Sequence, residues 1–334
     1  MSTTDPQEMD GGFNVIDLYA GPGGWEQGIL SSLPAASVLG VENNTVANDT
    51  AQLAGLHRLQ QDVRTVDLTA MPHVHYIHSS PPCQGMSTTG TGAGRKDADS
   101  IISTLQKIRR NKDTHRHIKE FEQQAHSPLS VHMLEPLRWI RHFEPTYFTM
   151  EQVVTALPVW HAWADLLEDM GYHVWTGVMN SEQYGVPQTR RRAILIASKR
   201  QKIGMPVATH SKYHQRTPAR LDSGVKPWVS ISETLDWPSH AYIVSNYSTN
   251  GDTKNRGIRT ASQPAATITS KAGRNKVYID NTIRNITVEE AGVLQGFNNY
   301  PWQGMKNEQF EQIGNAVPPP LAAAVVKELT KEKI

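Results

Sequence analysis

An α/β fold in two unequal parts is what the sequence predicts, and three observations carry it. Over roughly the first 200 residues, short β-like runs alternate with stretches whose apolar residues recur at helical spacing. Past about residue 200 the alternation gives way to loops, turns and isolated β-like pieces rich in Pro, Ser, Thr and Gly. Helical patterning then returns towards the end of the chain. Strands separated by helices are joined by crossovers, which lay the strands parallel with helices on both faces. The expected division is a large Rossmann-like domain of residues 1–198 with 280–334, and a smaller, irregular domain of 199–279.

The strands are expected at "FNVIDLY" (13 to 19), "SVLGVE" (37 to 42), "VHYIHSS" (74 to 80), "TYFTME" (146 to 151), "YHVWTGVM" (172 to 179) and "AILIAS" (193 to 198). Each is a short β-branched or aromatic run bounded by polar residues. Between them, "GWEQGILSSL", "TVANDTAQLA", "PLSVHMLEPLRWIRHF" and "LPVWHAWADLLEDMG" have helical spacing, the last stopping at Gly171. From Gly90 to Ser127 runs an insertion-like piece, glycine-rich in "GTGAGRKDADS" and then polar, basic and helical in propensity. The loop from Gly85 to about Ser100 is expected to act as a lid, and Arg109, Arg110, Lys112 and Arg116 to add contacts to a polyanion. The last helical stretches are "TVEEAGVLQGF" and "NEQFEQIGNAVPPPLAAAVVKEL", expected to pack back onto the first domain.

Charge is distributed unevenly. The 334 residues carry a formal +1, yet between Arg190 and Lys276 there are 16 Lys or Arg against 4 Asp or Glu. That segment is arginine-rich and interleaved with Tyr213, His214, Trp228, Tyr242 and Tyr247. Arginine reads base edges and phosphates, and aromatic rings stack on bases, so a nucleic-acid partner is expected. A single cysteine and the lack of any Cys-x-x-Cys argue against a secreted disulfide scaffold and a structural zinc site. The polar N-terminal stretch "MSTTDPQEMDGG" has no signal-peptide character, and no apolar run approaches a membrane span. A cytoplasmic protein without a metal is expected.

Five motifs carry chemistry. "DLYAGPGGW", Asp17 to Trp25, follows a predicted strand and opens a predicted helix, where glycines let the backbone approach a nucleotide-like ligand. Glu42, 18 residues beyond Gly24, is placed to meet a ribose, and Asp62 to accept from an adenine amino group. The turn lacks the full G-x-G-x-x-G spacing, which favours S-adenosylmethionine over NAD. In "SSPPCQG" two prolines hold Cys83 on a stiff turn at the same sheet edge, a setting that suits a nucleophile better than a buried small hydrophobe. "EQV" places Glu151 at a strand end as a candidate general acid. "YGVPQTRRRAILIAS" sets Gln188, Arg190 and Arg192 before a strand, where alternating arginines would point into the cleft. In "QIGNAVPPPL", Gly314 and Asn315 break a helical pattern that Pro318 to Pro320 restart.

Taken together and in this order, these motifs resemble the C5-cytosine DNA methyltransferases of the Dcm type, prokaryotic or phage, over nearly the whole chain. "DLYAGPGG" is similar to that family's first motif, with Tyr19 where Phe is usual, "PPCQG" to its nucleophile motif, and "QTRRR" to its Gln-x-Arg-x-Arg. "RTASQPAATITS" and "ITVEEAGVLQGF" followed by "IGNAVP" resemble its closing segments. The departure is Gln152, where the family usually has Asn. The resemblance implies an S-adenosylmethionine-dependent methyltransferase domain beside a DNA-reading domain, with double-stranded DNA as partner. It assigns Cys83 as nucleophile, with Glu151, Arg190, Arg192, Gln84 and Pro82 around the base. It assigns the cofactor to Asp17, Tyr19, Ala20, Gly21, Gly23, Gly24, Glu42, Asn43, Asp62, Val63, Pro81, Asn315 and Ala316. DNA contacts are expected from Gly85, Ser87, Gln188, Arg216, Arg220, Lys254, Arg256 and Arg259.

The implied mechanism adds the Cys83 thiolate to C6 of a flipped-out cytosine, with Glu151 donating to N3 and the two arginines holding O2, before C5 takes the methyl group. A monomer is expected, and a cognate restriction endonuclease encoded nearby is a partner that the resemblance allows. Three other readings differ in class. An inactive DNA-binding regulator of the same fold is disfavoured by Cys83, Glu151, Arg190 and Arg192 all being present. The RNA-modifying branch carries a Cys-Phe-Thr that this one-cysteine chain lacks. A small-molecule methyltransferase would not need the arginine-rich second domain.

Overall fold

The computed structural model describes residues 12–82, 93–111, 113–248 and 256–331. The chain opens with β1 (Asn14–Leu18), α1 (Gly24–Ser32), β2 (Ser37–Glu42), α2 (Thr45–Leu53), β3 (His57–Gln60) and β4 (Tyr76–Ser79). Next come α3 (Ala93–Asn111), α4 (Thr114–Glu122), α5 (Pro136–Phe143), β5 (Tyr147–Gln152), α6 (Leu157–Asp169), β6 (His173–Asn180), β7 (Gln188–Thr189) and β8 (Arg191–Ser198). The second part contains α7 (Ile231–Thr234), β9 (Tyr242–Ser248), β10 (Arg256–Thr260), β11 (Ala265–Ala266), β12 (Lys276–Ile279), β13 (Thr282–Asn285), α8 (Val288–Leu294) and α9 (Lys306–Asn315). Helix α10 (Pro319–Leu329) closes the chain.

Seven strands form the main sheet in the order β3-β2-β1-β4-β5-β8-β6. The first five are parallel, and β8 runs antiparallel between β5 and β6. Both faces are covered, so the strands alternate between two apolar cores rather than between core and water. Ile16, Leu39, Ile77, Phe148 and Leu195 face one core with α3, α5 and α6. Their neighbours Val15, Val38, Tyr76, Tyr147 and Ile194 face the other, against α1 and α10. Close packing of α1 on α10 requires Gly28, where a Cβ would meet Ala322 Cβ at 2.5 Å and the Pro319 carbonyl oxygen at 2.7 Å.

Three expectations change. The stretch 128–143 is not one helix: a 3-10 segment over Pro128–Met133 ends before α5, which starts at Pro136. Pro136 lacks the N–H that would continue a helix from the preceding turn. The piece after Gly90 is no appendage, because Ile101, Leu105, Ile108 and Phe121 of α3 and α4 lie fully within the first core. The segment after residue 280, expected to pack back onto the first domain, meets both parts. Ile286, Val288, Ala291, Leu294, Phe310 and Ile313 pack with Ile231, Trp237, Ile243 and Val277 in a third core, beside the sheet β10-β9-β12-β13. The same segment also touches the large domain, where Phe297 lies against Gly24, Tyr300 donates to the Pro22 carbonyl and Gln303 N to Thr50 Oγ1, and from Val317 onwards the chain enters the second core. Among the described residues no helix is long and apolar enough to cross a membrane.

Candidate active site

A cleft of about 420 Å³ opens at the carboxyl edge of β1, β2, β4 and β5. The turn after β1 forms one wall. Tyr19 takes φ 61° and Gly23 φ 101°, the left-handed region that glycine enters without cost, and α1 begins directly after it. Gly21 is fixed by its N–H donating to Glu42 Oε2 at 2.9 Å, while Glu42 Oε1 accepts from Asn44 N. The Tyr19 hydroxyl lies 3.1 Å from His132 Nδ1, a tie that phenylalanine would lack. Asp62 is gripped by the Arg64 guanidinium, whose hydrogen bonds hold its carboxyl below the usual range. Asp17 is the reverse case. Burial, and then the nearby Glu26 carboxylate, push it well above the usual range against the pull of Arg58, and both its oxygens are unpaired among the described residues. Of the residues assigned to the cofactor, Asp17, Tyr19, Ala20, Gly21, Gly24, Glu42, Asn43, Asp62, Val63, Pro81, Asn315 and Ala316 line this cleft. Gly23 does not; its missing side chain leaves room for Leu56 and Arg58.

The other wall is built by β5 and β8. Their antiparallel register pairs Gln152 with Ala193, which sets Arg192 next to the end of β5. Arg192 Nε donates to Glu151 Oε1 at 2.8 Å, and both side chains are nearly buried. Gln152, 2% exposed, donates from Nε2 to the Pro81 carbonyl at 2.8 Å and accepts from Val153 N at 2.6 Å. The longer amide thus clamps the proline turn to the end of β5. Ser80, Pro81 and Pro82 line the cleft between the two walls. Cys83, Gln84, Gly85 and Ser87 follow that turn and lie outside the described residues, as does Lys254.

Two expected site residues are placed elsewhere. Arg190 is 1% exposed, and its guanidinium donates to the carbonyls of Ile268, Gly314 and Ala316, so it braces the segments beneath the site instead of reaching a base. Gln188, expected on DNA, is wholly buried, donating to Leu294 O and accepting from Ile268 N. The strands break at Arg190, between β7 and β8, so residues 188, 190 and 192 do not share one face. Arg216, Arg220 and Arg256 are exposed, while Arg259 lies half-buried over the Tyr213 ring. Arg109 and Arg116, expected on a polyanion, pair with Asp165 and Asp169 and with Glu120.

Sequence reasoning missed a buried polar row behind the proline turn. Trp25 stacks on His78 at 3.5 Å, and hydrogen bonds link Trp25, Tyr76, Thr149, His78 and Ser80. A histidine two residues after a tyrosine in an apolar strand was the available signal.

The sequence matches the C-5 cytosine-specific DNA methylase family over residues 13–115, 130–230 and 208–331. The chain belongs to that family. Similar curated proteins include the Type II methyltransferase M1.HphI of Haemophilus parahaemolyticus, 27% identical over 95% of this chain and 86% of that protein. Another is M.AplI of Arthrospira platensis, 27% identical over 94% of this chain and 84% of that protein. Among solved structures, the S. pombe Dnmt2 methyltransferase superposes with TM-score 0.62 at 16% identity, covering 96% of this chain and 99% of that one. Entamoeba histolytica EhMeth does so with TM-score 0.60 at 15% identity, covering 97% and 99%. The fold is thus that of Rossmann-like methyltransferases, and the protein is a cytosine-5 DNA methyltransferase.

The donor set of the cleft fits S-adenosylmethionine. Six acidic residues line it, Asp17, Glu42, Asp62, Glu151, Glu308 and Glu311, of which Asp17 is held towards its neutral form, while Arg192 is the only Lys or Arg among its described lining residues. An acidic cleft repels a pyrophosphate and attracts a sulfonium.

Proposed function

We propose that this methyltransferase modifies C5 of a cytosine flipped out of a short duplex DNA site, through a covalent bond between Cys83 and C6, with S-adenosylmethionine as donor. The observation that supports it is one continuous cleft. Its glycine turn, Glu42 and Asp62 suit an adenosine, and it runs without interruption to Glu151, Arg192 and the Pro81–Pro82 turn that leads into Cys83.

C5 of cytosine is a weak nucleophile until a group adds to C6. The prolines restrict their own backbone, and Gln152 holds Pro81 in place, which fixes the described end of the turn that precedes Cys83. As C6 is attacked, a proton held between Glu151 and N3 keeps negative charge from accumulating on the ring. Arg192, fixed by Glu151, has donors left for the cytosine O2. When bound, S-adenosylmethionine supplies an electrophilic methyl group to the activated C5. Loss of the C5 proton to a base or water then lets the thiolate leave. The base must leave the stack because C6 cannot be reached inside a duplex.

Exposed Arg216, Arg220 and Arg256 put positive charge on the second domain, which we assign to reading the duplex, together with Lys254. The named relatives are Type II methyltransferases, so a cognate restriction endonuclease is a natural companion. Incubation with duplex DNA and methyl-labelled S-adenosylmethionine should give labelled 5-methylcytosine at one short sequence. Labelled adenine or labelled RNA alone would overturn the reading.

A further inference from the structure

The row of side chains behind the proline turn has a direction, and that direction ends in the cleft. Trp25 Nε1 lies 2.8 Å from the Tyr76 hydroxyl, and an indole N–H can only donate. Tyr76 is 1% exposed, so its own hydrogen must go to its other neighbour, Thr149 Oγ1 at 2.8 Å. Thr149 then accepts from Tyr76 and donates to His78 Nδ1, also at 2.8 Å. With Nδ1 accepting, neutral His78 carries its hydrogen on Nε2 and donates to Ser80 Oγ at 2.6 Å. Burial lowers the His78 pKa well below its ordinary value, which keeps the ring neutral. The reverse direction would strand the Tyr76 hydrogen inside the protein. Ser80 therefore accepts from behind and has its hydroxyl hydrogen left for the cleft that it lines.

The sheet order says what meets it. Asp62 follows β3 and Glu42 ends β2, so a ligand with its adenine at Asp62 and ribose at Glu42 carries its amino-acid end on past β1 to β4. Ser80 stands there, its N–H donating to the Leu18 carbonyl at the end of β1. In an acidic cleft an anionic end needs donors; Tyr19, Gln61, Gln152, Trp25 and Gln312 are already committed, and the lining amides of Asn43 and Asn44 follow β2 and that of Asn315 ends α9, so Ser80 is the hydroxyl donor at the end of β4. We infer that Ser80 is a further cofactor-binding residue, whose hydroxyl, oriented by the row Trp25–Tyr76–Thr149–His78, donates to the carboxylate of the amino-acid end of S-adenosylmethionine.

This inference rests on the S-adenosylmethionine reading, and calorimetry on the full chain separates the two. The probes are S-adenosylhomocysteine and 5′-methylthioadenosine, which lacks the amino-acid end. Ser80→Ala should weaken S-adenosylhomocysteine about tenfold, as expected for a hydrogen bond to a charged group, and leave methylthioadenosine within about twofold. Tyr76→Phe, which keeps the Ser80 hydroxyl but releases the row to reverse, should weaken S-adenosylhomocysteine in the same sense. In the wild type, 15N NMR should find His78 protonated on Nε2 at neutral pH. Equal weakening of both ligands, no weakening of either, or a proton on Nδ1 would overturn the assignment of Ser80. Failure of the wild type to bind S-adenosylhomocysteine would remove the cofactor reading itself and the inference with it.

Discussion

Gln152, where the family usually has Asn, ties the proline turn to the end of β5. Its amide bridges the Pro81 carbonyl and the Val153 N–H, and the extra methylene is absorbed within a side chain that is almost fully buried. Gln152→Ala would delete two hydrogen bonds and leave two backbone groups unpaired in the protein. Urea unfolding should show a loss of about 2 kcal/mol, at roughly 1 kcal/mol per bond, and methyl transfer should slow with little change in cofactor affinity. Arg192 and Arg190 illustrate the same scale from the other side. Two residues apart, one pairs with Glu151 in the cleft and the other binds three carbonyls beneath it.

At the scale of elements, that difference comes from the break between β7 and β8. Arg190 sits at the break and joins the segments at Ile268 and at Gly314 to Ala316, so it ties the second domain to the loop that lines the cleft. Arg190→Met should cost roughly 2 to 4 kcal/mol in unfolding, because the buried carbonyls of Ile268 and Gly314 lose a donor, while that of Ala316 keeps Gln295. Arg192→Ala should slow transfer and also cost stability, because it leaves the nearly buried Glu151 without its partner. Helices α3 and α4 behave likewise as structure: Arg109 is spent on Asp165 and Asp169 of α6. Arg109→Ala should therefore leave the salt dependence of DNA binding unchanged, whereas Arg216→Ala or Arg220→Ala should each lower the slope of log K against log salt by about 1 if it meets a phosphate. Most strands of the main sheet and the glycine turn were legible because each depends on residues close in sequence, whereas Gly314 and Asn315, expected to break a helix, lie in the last turn of α9, whose C-cap is Ala316. The fate of Arg190, the burial of Gln188 and the row from Trp25 to Ser80 were not legible, since register between distant strands decides them. The packing of α8 and α9 was hidden for the same reason: their apolar residues have helical spacing whichever core they enter.

For the whole molecule, three cores meet around one cleft, and the join between the two parts contains a titrating group. Burial pushes Glu182, beside Lys212 and Arg191, up to about 7 from an ordinary value of 4.5. Between those values the folded chain holds a proton that the unfolded chain has released, so stability falls as pH rises through the window and levels off above it. Glu182→Gln should be more stable than the wild type at pH 8, on the order of 2 kcal/mol, with the two converging near pH 4, as followed by urea midpoints. The central claim is the covalent bond from Cys83, and it is tested most directly by trapping. On a long duplex in which 5-fluorocytosine replaces cytosine, with S-adenosylmethionine present, the wild type should form a protein–DNA adduct that survives denaturing electrophoresis, because C5 then has no proton to lose. Cys83→Ser should form none; an adduct with that variant, or no adduct with an active wild type, would contradict the account.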